Sequence, residues 1–293
     1  HEVLVLDTGW NPGGRMATRK RGEASFDHGT TFLAPVGGQF AEAVEAWGAA
    51  GAAVPWAGIE REQVHWRGQP DMRGLAEFLA RDLPVRTRTR LVSVGPAGTG
   101  WSAVTEGGDT VTAAAVLMTP PVPQTLEILT AGGTELVPDL RTKLEGLEYE
   151  RCLTVLAVLD GPTQVPPPGV FKPSTGPITR LVDEQAKGIS SVPAVTLHAT
   201  QDFVGEGWDD DHDKLAGELL SAAEPWLGSS VKEYQVHRWK FSRPVRVWPE
   251  PCLLAVDHPP LVLAGDAFGG PDVPGAYRSG LAAAEVLVDL VAF

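Results

Sequence analysis

The sequence is poor in cysteine and has no long apolar run. Its 293 residues include only two cysteines, Cys152 and Cys252, whose separation matches no zinc-ligand or redox-dithiol spacing. We expect two free thiols in a reducing compartment, and a disulfide between them is the alternative. No segment approaches the roughly 20 apolar residues that cross a bilayer, and the N-terminus lacks a secretory pattern. We therefore predict a cytoplasmic protein without a membrane partner.

Positive charge is also scarce, because 24 Lys and Arg residues stand against 37 Asp and Glu residues and give a formal net charge of -13. An acidic surface repels phosphate backbones, which argues against a nucleic-acid partner. In the one basic stretch, Arg86, Arg88 and Arg90 alternate with threonines. Their period of two predicts one side of an extended, solvated strand.

The order of the predicted elements indicates two domains. Buried-type apolar strands are expected at 3–6 and 261–264, near the two ends of the sequence, and antiparallel-type strands are expected between them. The predicted strands are 54–67 (one or two), 91–94, 101–105, 110–118, 152–160 and 192–200. The predicted helices are 39–47, 71–83 capped by Asp71, 123–129, one that ends at 227, and 277–290. The proline-rich segment 162–168 predicts a loop.

This pattern is typical of an α/β domain combined with an α+β domain. We predict a discontinuous Rossmann-like nucleotide-binding domain formed by 1–40, 70–147 and 255–293. An antiparallel-sheet substrate domain, formed by 41–69 and 148–254, is inserted into it.

Two short motifs near the N-terminus could contact a dinucleotide. Asp7 follows the first strand, where an acidic residue accepts hydrogen bonds from ribose hydroxyls in dinucleotide-binding folds. Gly13 and Gly14 allow close approach of the backbone to a pyrophosphate, and the Arg15 guanidinium can neutralise it. The alternative is an ordinary turn with an exposed arginine.

A third motif, Gly265-Asp266, follows the strand 261–264. Its carboxylate can hold polyol hydroxyls, and a helix starting near Ala276 would direct its partial positive charge toward a cofactor ring. An ordinary strand–turn–helix is the alternative.

These motifs and several others together carry a family resemblance. The order and combination of the segments resemble the renalase-like members of the flavin amine oxidase superfamily, although Asp71 stands where that group has glycine. The segments are Gly13–Arg19, Asp27-His28-Gly29, Asp71-Met72, His237–Ser242, Gly265–Gly270, Gly275 and Ser279–Ala284.

The resemblance implies FAD as the cofactor and assigns a part of it to each motif. Asp7 would hold the adenosine ribose, and Leu91 would contact the adenine side through its backbone. The remaining contacts implied are Gly13, Gly14, Arg15 and Met16 for the diphosphate, Gly265 and Asp266 for the ribityl-diphosphate region, and Gly275, Ala276 and Tyr277 for the isoalloxazine edge.

The same resemblance implies an FAD-dependent oxidase. Hydride would pass from a reduced nicotinamide-type substrate to the flavin, and dioxygen would reoxidise the flavin to give hydrogen peroxide. The alternatives are a flavin amine oxidase acting on a small amine, and a non-catalytic remnant that binds a nucleotide. The oligomeric state and the mode of flavin attachment stay open.

The sequence departs from this family at two places. The G-x-G-x-x-G turn that should precede Asp7 by about 20 residues is absent, so we expect a strand, a turn and a helix upstream of His1. A molecule that truly began at His1 would bind FAD poorly and leave neighbouring strands unpaired. The residues after Gly29, Thr30-Thr31-Phe32, also differ from the family and affect contacts on the substrate side.

The histidines allow more than one interpretation. His28 is expected either near the flavin or in a turn. His237 and Trp239 alternate on a strand and should face the same side, where they either line a substrate cavity or pack in the core. His212 stands among aspartates, which we interpret as a solvated helix N-terminus, so no metal site is predicted.

Overall fold

The protein is described by a computed structural model for residues 2–60, 63–209 and 211–291. The chain divides into two compact units. The first unit comprises 1–12, 82–149 and 243–293, and the second comprises 13–81 and 150–242. No helix in the described ranges combines the length and apolar character that a membrane crossing requires.

The helices in chain order are α1 (Gly38–Ala49), α2 (Met72–Ala80), α3 (Val122–Ala131), α4 (Pro138–Glu145), α5 (Gln201–Gly207), α6 (His212–Leu227), α7 (Asp266–Gly269) and α8 (Asp272–Val291). The strands are β1 (Val5–Leu6), β2 (Thr18–Arg21), β3 (Ala24–Asp27), β4 (Ala53–Trp56), β5 (His65–Gly68), β6 (Val85–Arg86), β7 (Leu91–Ala97), β8 (Gly100–Thr105), β9 (Thr110–Ala113), β10 (Val116–Met118), β11 (Tyr149–Leu159), β12 (Val170–Phe171), β13 (Ile178–Asp183), β14 (Ala194–Ala199), β15 (Val231–Pro244), β16 (Leu253–Val256) and β17 (Leu261–Leu263). These elements make a mixed α/β fold with several sheets.

The first unit contains three small sheets. β1 pairs in parallel with β6, and β10 pairs in parallel with β17, which also pairs antiparallel with β16. β7, β8 and β9 form an antiparallel sheet. Among the described residues β1 is paired along one side only, and Val3 is 52% exposed. The predicted strands at 3–6 and 261–264 are present as β1 and β17. Each pairs in parallel with a strand from the middle of the sequence, where antiparallel-type strands were expected.

The core of the first unit lies between α3, α4 and the two three-stranded sheets. It includes Val94, Trp101, Leu129 and Leu263, all almost completely buried. The Trp101 indole N–H donates to the Pro260 carbonyl oxygen at 3.0 Å. This bond satisfies the single polar atom that a buried tryptophan carries.

The second unit is built on a five-stranded antiparallel sheet with the order β12-β13-β14-β11-β15. Its core contains Leu153, Leu181, Val195 and Leu197 from the strands, and α6 contributes Leu219. The apolar side chains of α6 recur at helical spacing, so one face of the helix is buried with these strands. The hairpin β2-β3 belongs to the same unit and has a buried apolar cluster in common with β11 and β14.

The predicted Asp71 cap and the predicted helix start at the aspartate run around His212 are confirmed. The Asp71 carboxylate accepts from the Gly74 N–H at 2.9 Å, and α2 begins at the next residue. At the other cap, Asp211 accepts from the backbone N–H groups of Asp213 and Lys214. The aspartate run around His212 is therefore the start of a helix, since free N–H groups and the helix dipole both favour carboxylates there.

Three element boundaries differ from the prediction. The segment 110–118 forms two strands, and α2 ends at Ala80, which leaves Leu83 45% exposed outside the helix. α8 begins at Asp272, five residues before the predicted start. Pro274 lies in the first turn of this helix, where proline fits because no N–H is needed.

The compact units do not divide the chain where the predicted domains do. Residues 13–40 and 70–81 were predicted to belong to the nucleotide-binding domain, and the structure groups them with the second unit. The ligand roles of the predicted domains stay predictions.

A network of buried charges lies in the second unit. The side chains of Lys187 and Asp27 are completely buried and form an ion pair with an N···O distance of 2.5 Å. Glu184 lies 3.7 Å from the same ammonium group, and burial raises the pKa of Glu184 to about 7. The Thr18 hydroxyl donates to Asp27, and the Thr196 hydroxyl donates to Glu184. Every charge in the network therefore has a partner of opposite charge or a hydroxyl donor.

We predict that Lys187→Met destabilises the fold strongly. The change leaves the Asp27 carboxylate buried without its cation, which typically lowers the free energy of unfolding by about 3–5 kcal/mol. Urea denaturation followed by circular dichroism measures the loss. The control is Lys172→Met, which removes an exposed ion pair with Glu60 and should cost less than about 1 kcal/mol. Equal losses in the two variants would contradict the role given to Lys187.

Candidate functional site

In the first unit, Asp7 directly follows β1 and is held by the neighbouring loop. Its carboxylate accepts from the Gly9 N–H at 2.6 Å, and its carbonyl oxygen accepts from the Thr89 N–H at 2.8 Å. Leu91 lies two residues after Thr89 and opens β7, where it pairs with Thr105. The backbone around the predicted ribose acid is therefore fixed by hydrogen bonds.

Gly265 and Asp266 lie at the end of β17. Gly265 has a φ of 126°, a conformation that favours glycine, and its N–H donates to the Ser279 hydroxyl at 2.8 Å. Asp266 is 6% exposed and begins α7. The Gly265-Asp266 turn is thus joined to α8 by Ser279.

Gly275, Ala276 and Tyr277 lie inside α8 rather than at its N-terminus, which corrects the prediction of a helix end near Ala276. A Cβ on Gly275 would lie 1.5 Å from the Gly270 carbonyl oxygen. Position 275 therefore requires glycine, because two backbone segments approach each other closely there. The sequence motif alone does not reveal this packing constraint.

In the second unit, Gly13 to Met16 form a tight turn. Gly13 and Gly14 have φ values of 125° and 51°, and the Met16 N–H donates to the Gly13 carbonyl oxygen at 2.8 Å. A Cβ on Gly13 would meet Ala76, whereas one on Gly14 would meet nothing within 4 Å. Gly14 therefore presents open backbone, as a phosphate contact requires.

The backbone of Arg15 packs closely against Gly29. The Thr30 N–H donates to the Arg15 carbonyl oxygen at 2.8 Å, and a Cβ on Gly29 would lie 2.1 Å from that oxygen. The Arg15 guanidinium donates to the Ser242 carbonyl oxygen at 3.0 Å. Two motifs that are separate in the sequence, 13–19 and 27–29, are in direct contact in this unit.

Three aromatic rings lie next to this contact. His28 is stacked on Trp239, with ring centroids 5.1 Å apart, and meets His237 edge-on at 4.8 Å. The rings of His237 and Trp239 meet edge-on, with centroids 4.3 Å apart. The Trp239 indole N–H donates to the His28 carbonyl oxygen at 3.1 Å. We call His28, His237 and Trp239 the ring cluster. His28 is 3% exposed, whereas the other two rings are half-buried.

Both imidazoles of the ring cluster are neutral at physiological pH. Burial is the main cause that lowers the pKa of His28 to about 3, and the neighbouring His237 and Arg19 contribute to the same shift. Burial and then Arg19 lower the pKa of His237 to about 4. The Nδ1 atom of His28 is buried and has no hydrogen-bond partner among the described residues. The cluster thus offers a polar atom without adding charge.

Sequence reasoning missed two residues near these groups. Burial and the charge of Arg180 lower the pKa of His198 to about 3, and both ring nitrogens of His198 are without a described hydrogen-bond partner. A single histidine in the strand 192–200 gave no signal. In the first unit, Trp10 is 77% exposed with the Arg88 guanidinium 5.1 Å from its ring. Arg88 was predicted to lie on an edge strand, but β6 ends at Arg86.

The donor sets fit the parts of a dinucleotide. A fixed carboxylate at Asp7 suits vicinal hydroxyls, and the open backbone of Gly14 with the neighbouring Arg15 suits a phosphate. Asp7 belongs to the first unit, and Gly14 and Arg15 belong to the second.

Comparison with known proteins identifies the family. The model of the family "flavin containing amine oxidoreductase" matches residues 55–288, which is most of the chain. The protein belongs to this family, whose description names a flavin as the cofactor.

Solved structures share the fold at low sequence identity. A structural-genomics protein from Pyrococcus furiosus has a TM-score of 0.64 and 13% identity, and the match covers 98% of this chain and 92% of that one. A candidate protoporphyrinogen oxidase from Exiguobacterium sp. 255-15 has a TM-score of 0.59 and 16% identity, with 80% of this chain and 54% of that one covered. A triple mutant of putrescine oxidase has a TM-score of 0.56 and 13% identity, with 77% and 54% covered. The chain thus spans about half the length of the latter two proteins.

We predict that Gly29→Ala disturbs the Arg15 turn. The added methyl group would collide with the Arg15 carbonyl oxygen, and overpacking of this kind costs about 1–3 kcal/mol. Thermal unfolding measures the loss, and FAD titration measures the effect on cofactor affinity. The control is Gly280→Ala in α8, where a Cβ meets nothing within 4 Å and helix propensity favours alanine. An unchanged melting temperature for Gly29→Ala would contradict the close contact.

The lowered pKa values predict a pH dependence of stability. The unfolded chain protonates its histidines near pH 6.5, whereas the folded ring cluster stays neutral until about pH 3 to 4. The unfolded state thus binds more protons as the pH falls from about 6.5 to 4, and stability decreases by up to about 1.4 kcal/mol per pH unit for each histidine. His237→Gln should flatten this slope in urea titrations. The exposed control His212→Gln should leave it as it is.

Proposed function

We propose that the protein is an FAD-dependent oxidase that accepts hydride from a reduced nicotinamide-type substrate, as in the renalase-like group. The observation that carries the proposal is the ring cluster of the second unit, where a half-buried indole and two neutral imidazoles lie within 5.1 Å of one another. A flat indole face is suited to stacking on a nicotinamide ring.

The Rossmann-like part of the fold is proposed for the first unit. Its support is the pair of short parallel sheets, β1-β6 and β10-β17, with Asp7 and Gly265-Asp266 at the carboxyl ends of β1 and β17. Ligands of open α/β sheets bind at that end of the strands. The roles given to Asp7, Gly13, Gly14, Arg15, Met16, Leu91, Gly265, Asp266, Gly275, Ala276 and Tyr277 in holding FAD belong to the same proposal.

When bound, FAD would supply the hydride acceptor, and dioxygen would take up the two electrons and two protons to give hydrogen peroxide. The protein's own residues orient the substrate. The Trp239 ring is fixed by its hydrogen bond to the His28 carbonyl oxygen, and the His28 ring is held against it by burial. His28 Nδ1 can serve as a hydrogen-bonding atom for the substrate, because it has no partner among the described residues and the ring stays neutral above about pH 3.

A small amine is the second candidate substrate. The family description and the similarity to putrescine oxidase favour it. The two candidates differ in charge, since an amine is protonated at neutral pH and a reduced nicotinamide ring is neutral. They also differ in how they reduce the flavin, which permits a direct test.

We predict that dihydronicotinamide donors, and not amines, reduce the bound flavin. The protein is loaded with FAD, freed of excess cofactor and mixed anaerobically with isomeric dihydronicotinamide dinucleotides or with putrescine and benzylamine. Loss of the flavin band with the nicotinamide donors, followed by peroxide on aeration, is the expected result. Trp239→Ala should slow this reduction, while Trp226→Ala is the control within the same unit. Bleaching by amines alone would replace the proposal with the amine oxidase, and absence of any bound flavin would overturn both.

A further inference from the structure

The charges around the ring cluster point to the kind of substrate that it can accept. We propose that the ring cluster and Arg19 form a substrate-recognition face that selects an anionic group and rejects a cationic amine. The inference rests on the proposed function, because these side chains recognise a substrate only if hydride transfer takes place beside them.

Arg19 is the first observation that supports this face. It lies on β2, is half-buried, and its backbone pairs with Phe26 of β3. Its charge acts on both imidazoles of the ring cluster and lowers the pKa of each. Within 2–60, 63–209 and 211–291 Arg19 forms no ion pair and donates no side-chain hydrogen bond. A half-buried guanidinium without a counter-ion is suited to bind a carboxylate or a phosphate oxygen.

Two carboxylates on the same elements as the ring cluster and its hairpin, Asp27 and Glu233, are already engaged. Asp27 precedes His28 in the sequence, but its oxygens accept from Lys187 and from the Thr18 hydroxyl in the buried network. On β15, Glu233 forms an ion pair with Arg21 at 2.7 Å. No Asp or Glu is among the charges that act on His28 or His237. An ammonium group would therefore meet positive charge without a compensating acid.

The neutral imidazoles are consistent with the selection of an anionic group. Because His28 and His237 stay uncharged above pH 4, they give an ammonium group no negative charge and an anion no additional positive charge. A neutral imidazole can nevertheless donate or accept a hydrogen bond. Arg19 is thus the charge that decides the selectivity of this face.

The test uses three pyridines that share a ring and differ in charge. Nicotinate is anionic, nicotinamide is neutral and 3-(aminomethyl)pyridine is cationic at pH 8. Isothermal titration calorimetry on the FAD-loaded protein should give the affinity order nicotinate, nicotinamide, 3-(aminomethyl)pyridine. Tighter binding of the cationic compound than of nicotinate would overturn the inference.

Two variants on the same strand locate the effect. Arg19→Gln should weaken nicotinate binding about tenfold and leave nicotinamide binding within about twofold. Arg21→Gln, which removes an exposed pair with Glu233, should change neither. Unchanged nicotinate affinity in Arg19→Gln would overturn the role of Arg19. If circular dichroism shows that Arg19→Gln does not fold, nicotinate binding to the unaltered protein is measured at increasing salt concentration instead. An affinity that does not change with salt would overturn the role of Arg19.

Two further measurements identify the kind of anionic group and separate this inference from the proposed function. Competition by inorganic phosphate against nicotinate supports a phosphate-bearing substrate, and lack of competition supports a carboxylate. Flavin reduction is measured on the same preparations. If nicotinate binds most tightly but no donor reduces the flavin, the inference stands and the proposed function is rejected. If a dihydronicotinamide donor reduces the flavin but the cationic pyridine binds most tightly, the proposed function stands and the inference is rejected.

Discussion

The buried contact between Lys187 and Asp27 is the interaction on which the second unit most depends. Two full charges with completely buried side chains are tolerated only because they face each other at 2.5 Å and the hydroxyl of Thr18 completes the carboxylate shell. Asp27 is also the residue before His28. The ion pair therefore holds the backbone directly before His28, one of the three residues of the ring cluster.

The local features of the fold could be predicted from the sequence, and the long-range ones could not. Asp71 and Asp211 cap helices because a short carboxylate satisfies N–H groups two or three residues away. Lys187 and Asp27 are 160 residues apart, and a lysine followed by glycine in a polar segment reads as a surface loop. His198 was missed for the same reason, because its neighbours Arg180 and His28 come from distant parts of the sequence.

The candidate site was predicted unevenly. Gly13, Gly14 and Arg15 were singled out as a cofactor turn, and the structure adds that Gly29 must be glycine to let the Arg15 carbonyl oxygen approach. Gly275 was assigned to the cofactor, yet its contact with Gly270 already requires a residue without a side chain. A glycine motif in a sequence cannot by itself separate a ligand contact from backbone packing. The charge pattern around the ring cluster is more informative, because it departs from what the amine in the family description would need.

The complete burial of Lys187 has a consequence for chemical labelling of the protein. Amine-acylating reagents reach only side chains that contact solvent, so Lys187 should stay unmodified in the folded protein while exposed lysines such as Lys172 react. Protection of this one lysine then reports on the integrity of the second unit.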